Sequence, residues 1–482
     1  MSETPVEKTL VGSSSDDDSL RRKSETPLST TPHQHHVLPA SIIAAEVTPG
    51  SAVQPAAETD SDTDSESNHS PAQTAGHDDI PDGGLNAWFQ CFASWVLLVD
   101  TWGVINCFGV YQTFYERGTL FERSPSDLAW IGSIQSALLL IIGSVVGPLY
   151  DAGYFRIMMR SGIFLIVLGQ FMVSLCHTYW QVFLAQGLCI GLGSGLAFLP
   201  STAILSQYFK KRLGLAIGFS AAGSPVAGII FPIMFGHLEP RIGFAWATRA
   251  IAFVLLGLSA IPLAFMKTRV TPTKRPYEFK LIKDIARDLP FLFAALGMAL
   301  VFMTMYVPYF YIQAYAINKG ITTKGFSPYL ITIMSAGSVP GRIIPNHIGD
   351  KVGPLNVLIV LALACMILAF SWMSITSMGS LVVFLILYGC ASGGLVSGAA
   401  SMVIAMAPDL SVIGVRMGFM YTFAGLATLV GPPVAGAIIG DSGEHRNWIP
   451  GIGWSGAGLA LGLGMLVTGR TLHYRWHHTK CI

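Results

Sequence analysis

Arg342 lies inside the apolar stretch 326–347, where an unpaired guanidinium costs at least about 2.5–3.5 kcal/mol on membrane-insertion scales. A bound carboxylate, met by the planar fork of the guanidinium, would offset that cost. Two structural roles compete with this one: hydrogen bonding to helix carbonyls, and snorkelling of the long side chain toward a membrane face. Asp100 is a second ionisable group at depth, near the middle of the apolar run 88–112. It is a candidate proton carrier or a counter-ion for Arg342. Tyr306, Tyr309, Tyr311 and Tyr315, grouped around Pro308, could line a polar pathway, and aromatic packing would account for them equally well.

Other chemistries find no support. The seven cysteines form no CxxC pair and mostly sit in apolar runs, as small buried residues do. Gly191, Gly193 and Gly195 lie in an apolar run with no strand before them, so they read as close helix packing and not as a nucleotide loop. No HExxH, paired-carboxylate or Ser-His-Asp constellation supports an enzyme, and no cofactor or metal is implied. A net charge of +1 offers no face for nucleic acid.

The elements that must carry Arg342 and Asp100 follow from composition. Of 482 residues, 52% are hydrophobic and 12% charged, against roughly 25% charged in a soluble domain. Beyond Pro81, runs of about 20 apolar residues recur, each long enough to cross a hydrocarbon core. Twelve are expected, near 88–112, 127–149, 154–176, 180–203, 213–236, 246–266, 290–315, 326–347, 355–375, 379–406, 412–439 and 448–469. Backbone groups in lipid must bond within their own segment, so these runs are helices and the fold class is an all-α polytopic membrane protein.

The loop 267–289 carries Lys267, Arg269, Lys274, Arg275, Lys280, Lys283 and Arg287, and Lys210-Lys211-Arg212 is basic too. Alternate loops hold fewer cations, which puts both termini in the cytosol, most simply at the plasma membrane, with a vacuolar or other internal membrane as the alternative. Residues 1–80, rich in Ser, Thr, Pro and Asp, are expected to be a disordered tail. The basic loop then separates a six-helix half at 81–266 from a second at 290–470, followed by a short cytosolic tail at 471–482.

Internal repetition supports that division. Gly223-Ser224-Pro225-Val226-Ala227-Gly228 returns as Gly431-Pro432-Pro433-Val434-Ala435-Gly436, Gly191-Leu-Gly-Ser194-Gly195 as Gly389-Cys-Ala-Ser392-Gly393, and Asp151 as Asp350, each before a glycine turn. Two parallel half-repeats place a substrate site between them near the bilayer midplane.

Two segments carry a resemblance. Asp82-Gly83-Gly84-Leu85-Asn86-Ala87-Trp88 resembles the Asp-Gly-Gly-x-x-Trp signature of the monocarboxylate-porter family within the major facilitator superfamily, with one residue more before the tryptophan, and Tyr208-Phe209-Lys210-Lys211-Arg212 through Gly223 is similar to that family's signature at the start of helix 5. Asp100-Thr-Trp102-Gly103 looks most like its fungal branch. Bland readings stand beside these: Trp88 suits a membrane interface, the basic triplet is a positive-inside anchor, and Ala216, Gly218, Ala221, Gly223 and Gly228 let helices pack closely.

The resemblance implies a major facilitator fold and a further set of sites. Asp151 and Asp350-Lys351 correspond to the superfamily's cytosolic gate, with a merely solvated loop charge as the alternative. Ala152 stands where that gate commonly has arginine, which leaves Arg156 or a residue elsewhere as the partner of Asp151. Arg342 aligns with the family's helix 8 arginine. Asn106 and Ser338 stand where animal members carry a lysine and an acid, which bears on proton coupling. The function implied is transport of a small organic anion, with protons as a candidate co-substrate. Export of a secondary metabolite, movement of a neutral vitamin-like solute, and nutrient sensing are the alternatives. Nothing in the sequence specifies an oligomeric state.

Overall fold

The computed structural model describes residues 82–477 apart from 117, 119, 124, 270–278, 324 and 441–446. The expected disordered tail, the middle of the basic linker and the last residues of the C-terminal tail lie outside the described residues.

Ten segments are long and apolar enough to cross a membrane: α1 (Leu85–Tyr115), α2 (Trp130–Asp151), α3 (Phe155–Val173), α4 (Tyr179–Gln207), Leu213–Phe265, α7 (Leu289–Asn318), α9 (Pro354–Ser374), α10 (Met378–Ala405), α11 (Leu410–Ile439) and α12 (Trp448–Arg475). Leu213–Phe265 is two spans, α5 (213–242) and α6 (244–265), because Gly243 between them takes φ 78° and ψ 165°. Glycine reaches that geometry at little cost because it has no Cβ. The sequence leaves 237–245 as a connection, whereas the structure winds helix up to this one residue from both sides. A further 25-residue helix, α8 (Pro328–Val352), is less apolar than its neighbours because it carries Arg342, Asn346 and His347. With the break at Gly243 and α8 counted, the described residues hold the twelve expected spans, and no strand.

Two departures from regular helix bear on the site. Val99–Gly103 in α1 and Phe183–Ile190 in α4 are π-helical. The first widens α1 at Asp100 and Trp102, a distortion that recurs at functional sites. The linker also contains a short amphipathic helix, Phe279–Arg287, with Ile285 buried. A search for 20-residue apolar runs passes over such an element.

Small residues set how closely the helices approach. A Cβ on Gly193 would come within 2.7 Å of the Gly162 carbonyl, and one on Gly195 within 2.9 Å of the Leu138 carbonyl, so this run packs α4 on α3 and α2. The same device joins helices far apart in sequence. Gly147 and Gly143 of α2 meet Gly414 and Gly418 of α11, and Gly214 and Gly218 of α5 meet the backbone of Asn346 and Arg342 in α8. Backbones in contact at these points leave room for no side chain.

Candidate functional site

The site begins with a missing hydrogen. Pro225 has no N–H, so the carbonyl four residues earlier, Ala221, lacks its helical partner. Arg342 supplies one from α8: its Nη1 donates to the Ala221 carbonyl at 3.1 Å. Its Nε donates to Ser338 Oγ, one turn earlier on α8, at 3.2 Å. Arg342 is only 7% exposed, and both of these acceptors are neutral. Among the described residues no carboxylate pairs with it, so the cation is hydrogen-bonded but its charge is not compensated.

Around Arg342 the structure gathers groups from both halves of the chain. Asn106 of α1 donates from Nδ2 to Ser224 Oγ of α5 at 3.1 Å. Tyr309 of α7 bonds Ser392 of α10 at 3.1 Å. Arg342, Asn106, Tyr306 and Tyr309 line one cavity, together with Trp102, Ser335, Ser338 and Ser392. Its volume is about 20 Å³, room for about one water molecule. The site is therefore assembled and collapsed. Asn106, unlike Arg342, is exposed, as are Gly109 and Thr113 on the same face of α1.

Three expected members lie elsewhere. Tyr311 donates to the Pro432 carbonyl at 2.8 Å and Tyr315 to the Ile375 carbonyl at 2.9 Å, so these two brace helices and do not line the cavity. Asp100 is fully buried and does not meet Arg342; Ser259 of α6 donates to its Oδ2 at 2.8 Å, and Oδ1 has no partner. As a counter-ion for Arg342, Asp100 is corrected: the two side chains share no contact among those described.

At the end of the bundle that carries the basic loops, the two repeated aspartates act reciprocally. Asp151, at the end of α2, accepts the Gly414 and Val415 N–H groups at the start of α11, at 2.9 and 2.8 Å. Asp350, at the end of α8, accepts the Gly214 and Leu215 N–H groups at the start of α5, at 2.6 and 2.9 Å. Each carboxylate thus meets the positive end of a helix from the other repeat. The expected basic partner is replaced by backbone: Arg156 is exposed and takes no part in these bonds, while Lys351, also exposed, lines a separate cavity of about 340 Å³ beside Asp350.

The two signature segments prove to be one unit. Asp82, the sole described non-glycine residue with positive φ, accepts the N–H groups of Lys210, Lys211 and Arg212 at 2.9, 2.8 and 3.1 Å. Gly83 and Gly84, also at positive φ, turn the chain into α1, where Trp88 packs edge-on against Phe209 at 5.2 Å. Trp88 therefore staples α1 to the basic loop. Tyr208 donates to the Lys267 carbonyl at 2.7 Å, and partial burial pushes its phenol above the usual range despite nearby Arg269. At the next layer Gly223 of α5 touches the Trp95 backbone of α1.

Sequence reasoning passed over several residues. Ser335 and Asn346 extend Ser338 and Arg342 into a polar stripe at three- and four-residue spacing on α8, a pattern that was there to be read. Asn346 donates to the Arg342 carbonyl at 2.8 Å and to Ser397 at 2.6 Å, fixing that turn of α8. Arg416 of α11 bonds Asp288 at 2.7 Å and the Met406 carbonyl at 2.8 Å, and lies over the Phe291 ring. Asp288 in turn caps α7 through the Phe291 N–H.

Twelve helices in two repeats, with a buried cation between them and capped contacts closing one end, define a membrane transporter. The chain belongs to the Major Facilitator Superfamily, whose pattern matches residues 91–409, a family of transporters and not of enzymes. It is similar to the MFS-type transporter dbaD of Emericella nidulans, with 41% identity over 367 residues, 76% of this chain and 82% of that one. The Aspyridones efflux protein apdF of the same organism is 35% identical over 369 residues, 76% of this chain and 74% of that one. Among solved structures, a bacterial homologue of the iron transporter ferroportin in an outward-facing state superposes with a TM-score of 0.60 at 12% identity, over 82% of this chain and all of that one. The E. coli fucose:proton symporter superposes at 0.58 and 16% identity, over 79% and 98%. These last two speak to the fold alone.

Proposed function

We propose that this chain is a secondary transporter that exports a small organic acid, a carboxylate or comparably acidic metabolite, by alternating access, with Arg342 as the group that recognises the anion. The observation that carries this reading is a guanidinium 7% exposed within the bundle and bonded, among the described residues, only to a serine and a carbonyl. An uncompensated charge at that depth is stabilised when an anion arrives. Export is favoured over uptake by the efflux protein among its relatives.

Positive-inside bias assigns the latched end, with Lys210, Lys211 and Arg212, to the cytosol, most simply at the plasma membrane. In this form Asp151 and Asp350 hold the cytosolic end shut, while the exposed face of Asn106 and Gly109 marks the route to the opposite side. Release of both aspartates from α11 and α5 would open the cytosolic end for loading.

The test is counterflow of labelled acids in vesicles holding the purified protein. Arg342→Lys keeps charge but loses the planar fork, so carboxylate transport should fall by about tenfold or more; Arg342→Gln should abolish it while the protein remains monodisperse. Normal acid transport by well-folded Arg342→Gln would remove the anion site and leave a neutral cargo.

A further inference from the structure

The cavity of about 340 Å³ beside Asp350 shares no lining residue with the one at Arg342. Its volume falls among those of small-molecule pockets, about 300–1,000 Å³. Its walls come from both repeats. Phe209, Lys210 and Leu213 lie before and at the start of α5, Asp350 and Lys351 end α8, and Ile404 and Ile413 belong to α10 and α11. It therefore touches the starts of both helices that the two aspartates latch, at Gly214 of α5 and at Ile413, the residue before Gly414 of α11.

The wall is divided chemically. Phe209, Leu213, Ile404 and Ile413 present apolar surface, and two carboxylates and two ammonium groups supply most of the charge. The carboxylates are engaged: Asp350 accepts the two N–H groups of α5 with its two oxygens, and Asp409 accepts the Ser411 N–H at 2.7 Å. Lys351 is exposed and has no hydrogen-bond or ion-pair partner among the described residues. Lys210 adds a second positive charge, from the other repeat. An anion with an apolar body matches this combination, and its charge would meet cations of both repeats.

We propose that this cavity is a second, regulatory site for a small amphiphilic acid, with the apolar body against Phe209, Leu213, Ile404 and Ile413 and the anionic group at Lys351 and Lys210, and that the bound acid locks the latched end shut. The lock follows from the walls. A ligand that needs surfaces of both repeats binds the form in which those surfaces face each other, and shifts the population toward it. The effect on transport rests on the alternating-access reading above; the binding does not.

The probe is labelled naphthalene-2-sulfonate, with 2-naphthylmethylammonium as its counterpart of similar shape and opposite charge. Binding to the full chain in lipid nanodiscs is measured in the parent protein and in Arg342→Gln, where the cargo site has lost its cation. In both, the sulfonate should bind saturably and the ammonium at least about tenfold more weakly. Lys351→Gln, at an exposed position, should weaken sulfonate binding about fivefold. Ala405→Trp, also exposed and lining the cavity, fills it with a ring and should abolish binding. In vesicles the sulfonate should slow acid counterflow by the parent protein and leave Ala405→Trp unaffected. Absence of saturable binding, equal binding of the two probes, or unchanged binding in both Lys351→Gln and Ala405→Trp overturns the site. Binding without slower counterflow, or equal slowing in Ala405→Trp, which would place the inhibition at Arg342, overturns the lock. If the parent protein carries no acid yet binds the sulfonate with these residue dependences, the transport reading fails and the site stands.

Discussion

Replacing Asp151 and Asp350 by asparagine should open the basic end of the bundle. Each carboxylate now accepts two backbone N–H groups from a helix start in the opposite repeat. A hydrogen bond to a charged group contributes about 1.5–3 kcal/mol net. Asparagine keeps one acceptor oxygen and loses both the second bond and the charge that faces the helix end. The expected loss is about 2 kcal/mol per latch, which shifts the closed-to-open ratio about 30-fold. The latches engage different helices, so the double variant should lose about 4 kcal/mol. Pulsed electron-spin distances between labels at Lys211 and Pro408, both exposed and in opposite halves of the chain, read the population directly. Each single variant should add a longer-distance component, and the double variant should make it dominant. Since these bonds form only between the repeats, folding and melting should change little. An unchanged distance distribution in the double variant, measured without cargo in lipid nanodiscs, would refute the latch.

Gly147→Ala should open the same end by another route, because its Cβ would come within 2.7 Å of the Gly414 carbonyl carbon; Gly464→Ala, which meets nothing within 4 Å, is the silent control in the same distance measurement. Arg416→Met should cost about 1–3 kcal/mol by stranding Asp288, whose side chain is 28% exposed and so partly hydrated; a melting temperature equal to that of the parent protein would show the pair to be dispensable. Asp100→Asn preserves the bond from Ser259 but removes the site for a proton, so cargo exchange should persist while dependence on an imposed pH gradient disappears; retained gradient dependence would free Asp100 of that role.

What could be read in advance divides along physical lines. The spanning helices were legible because lipid gives the backbone no alternative partner, and α8 was found through its apolar residues despite Arg342. Arg342 itself stood out because its burial is costly in any lipid-embedded fold. Its partner at Ala221 was legible in principle, since Pro225 marks the carbonyl four residues back as free. The partners of Asp151 were not: they are main-chain N–H groups 263 and 264 residues away, and any residue but proline carries that group. Trp102 was given no role in the site because its distinguishing mark, an indole N–H with no acceptor among the described residues, is a property of the folded chain alone. Gly243 and the helix Phe279–Arg287 escaped because each falls below the length at which an apolar run becomes diagnostic.

The carbonyl that Pro225 leaves open makes Arg342 serve two masters. One guanidinium holds α8 to α5 through Ala221, and in the function proposed above the same group would take the cargo's charge. An arriving anion competes for the same donors that tie the helices together. Occupancy and release of the α8–α5 contact would then be the same event at one side chain, with no relay of intervening residues needed to tell the bundle that its cargo has arrived.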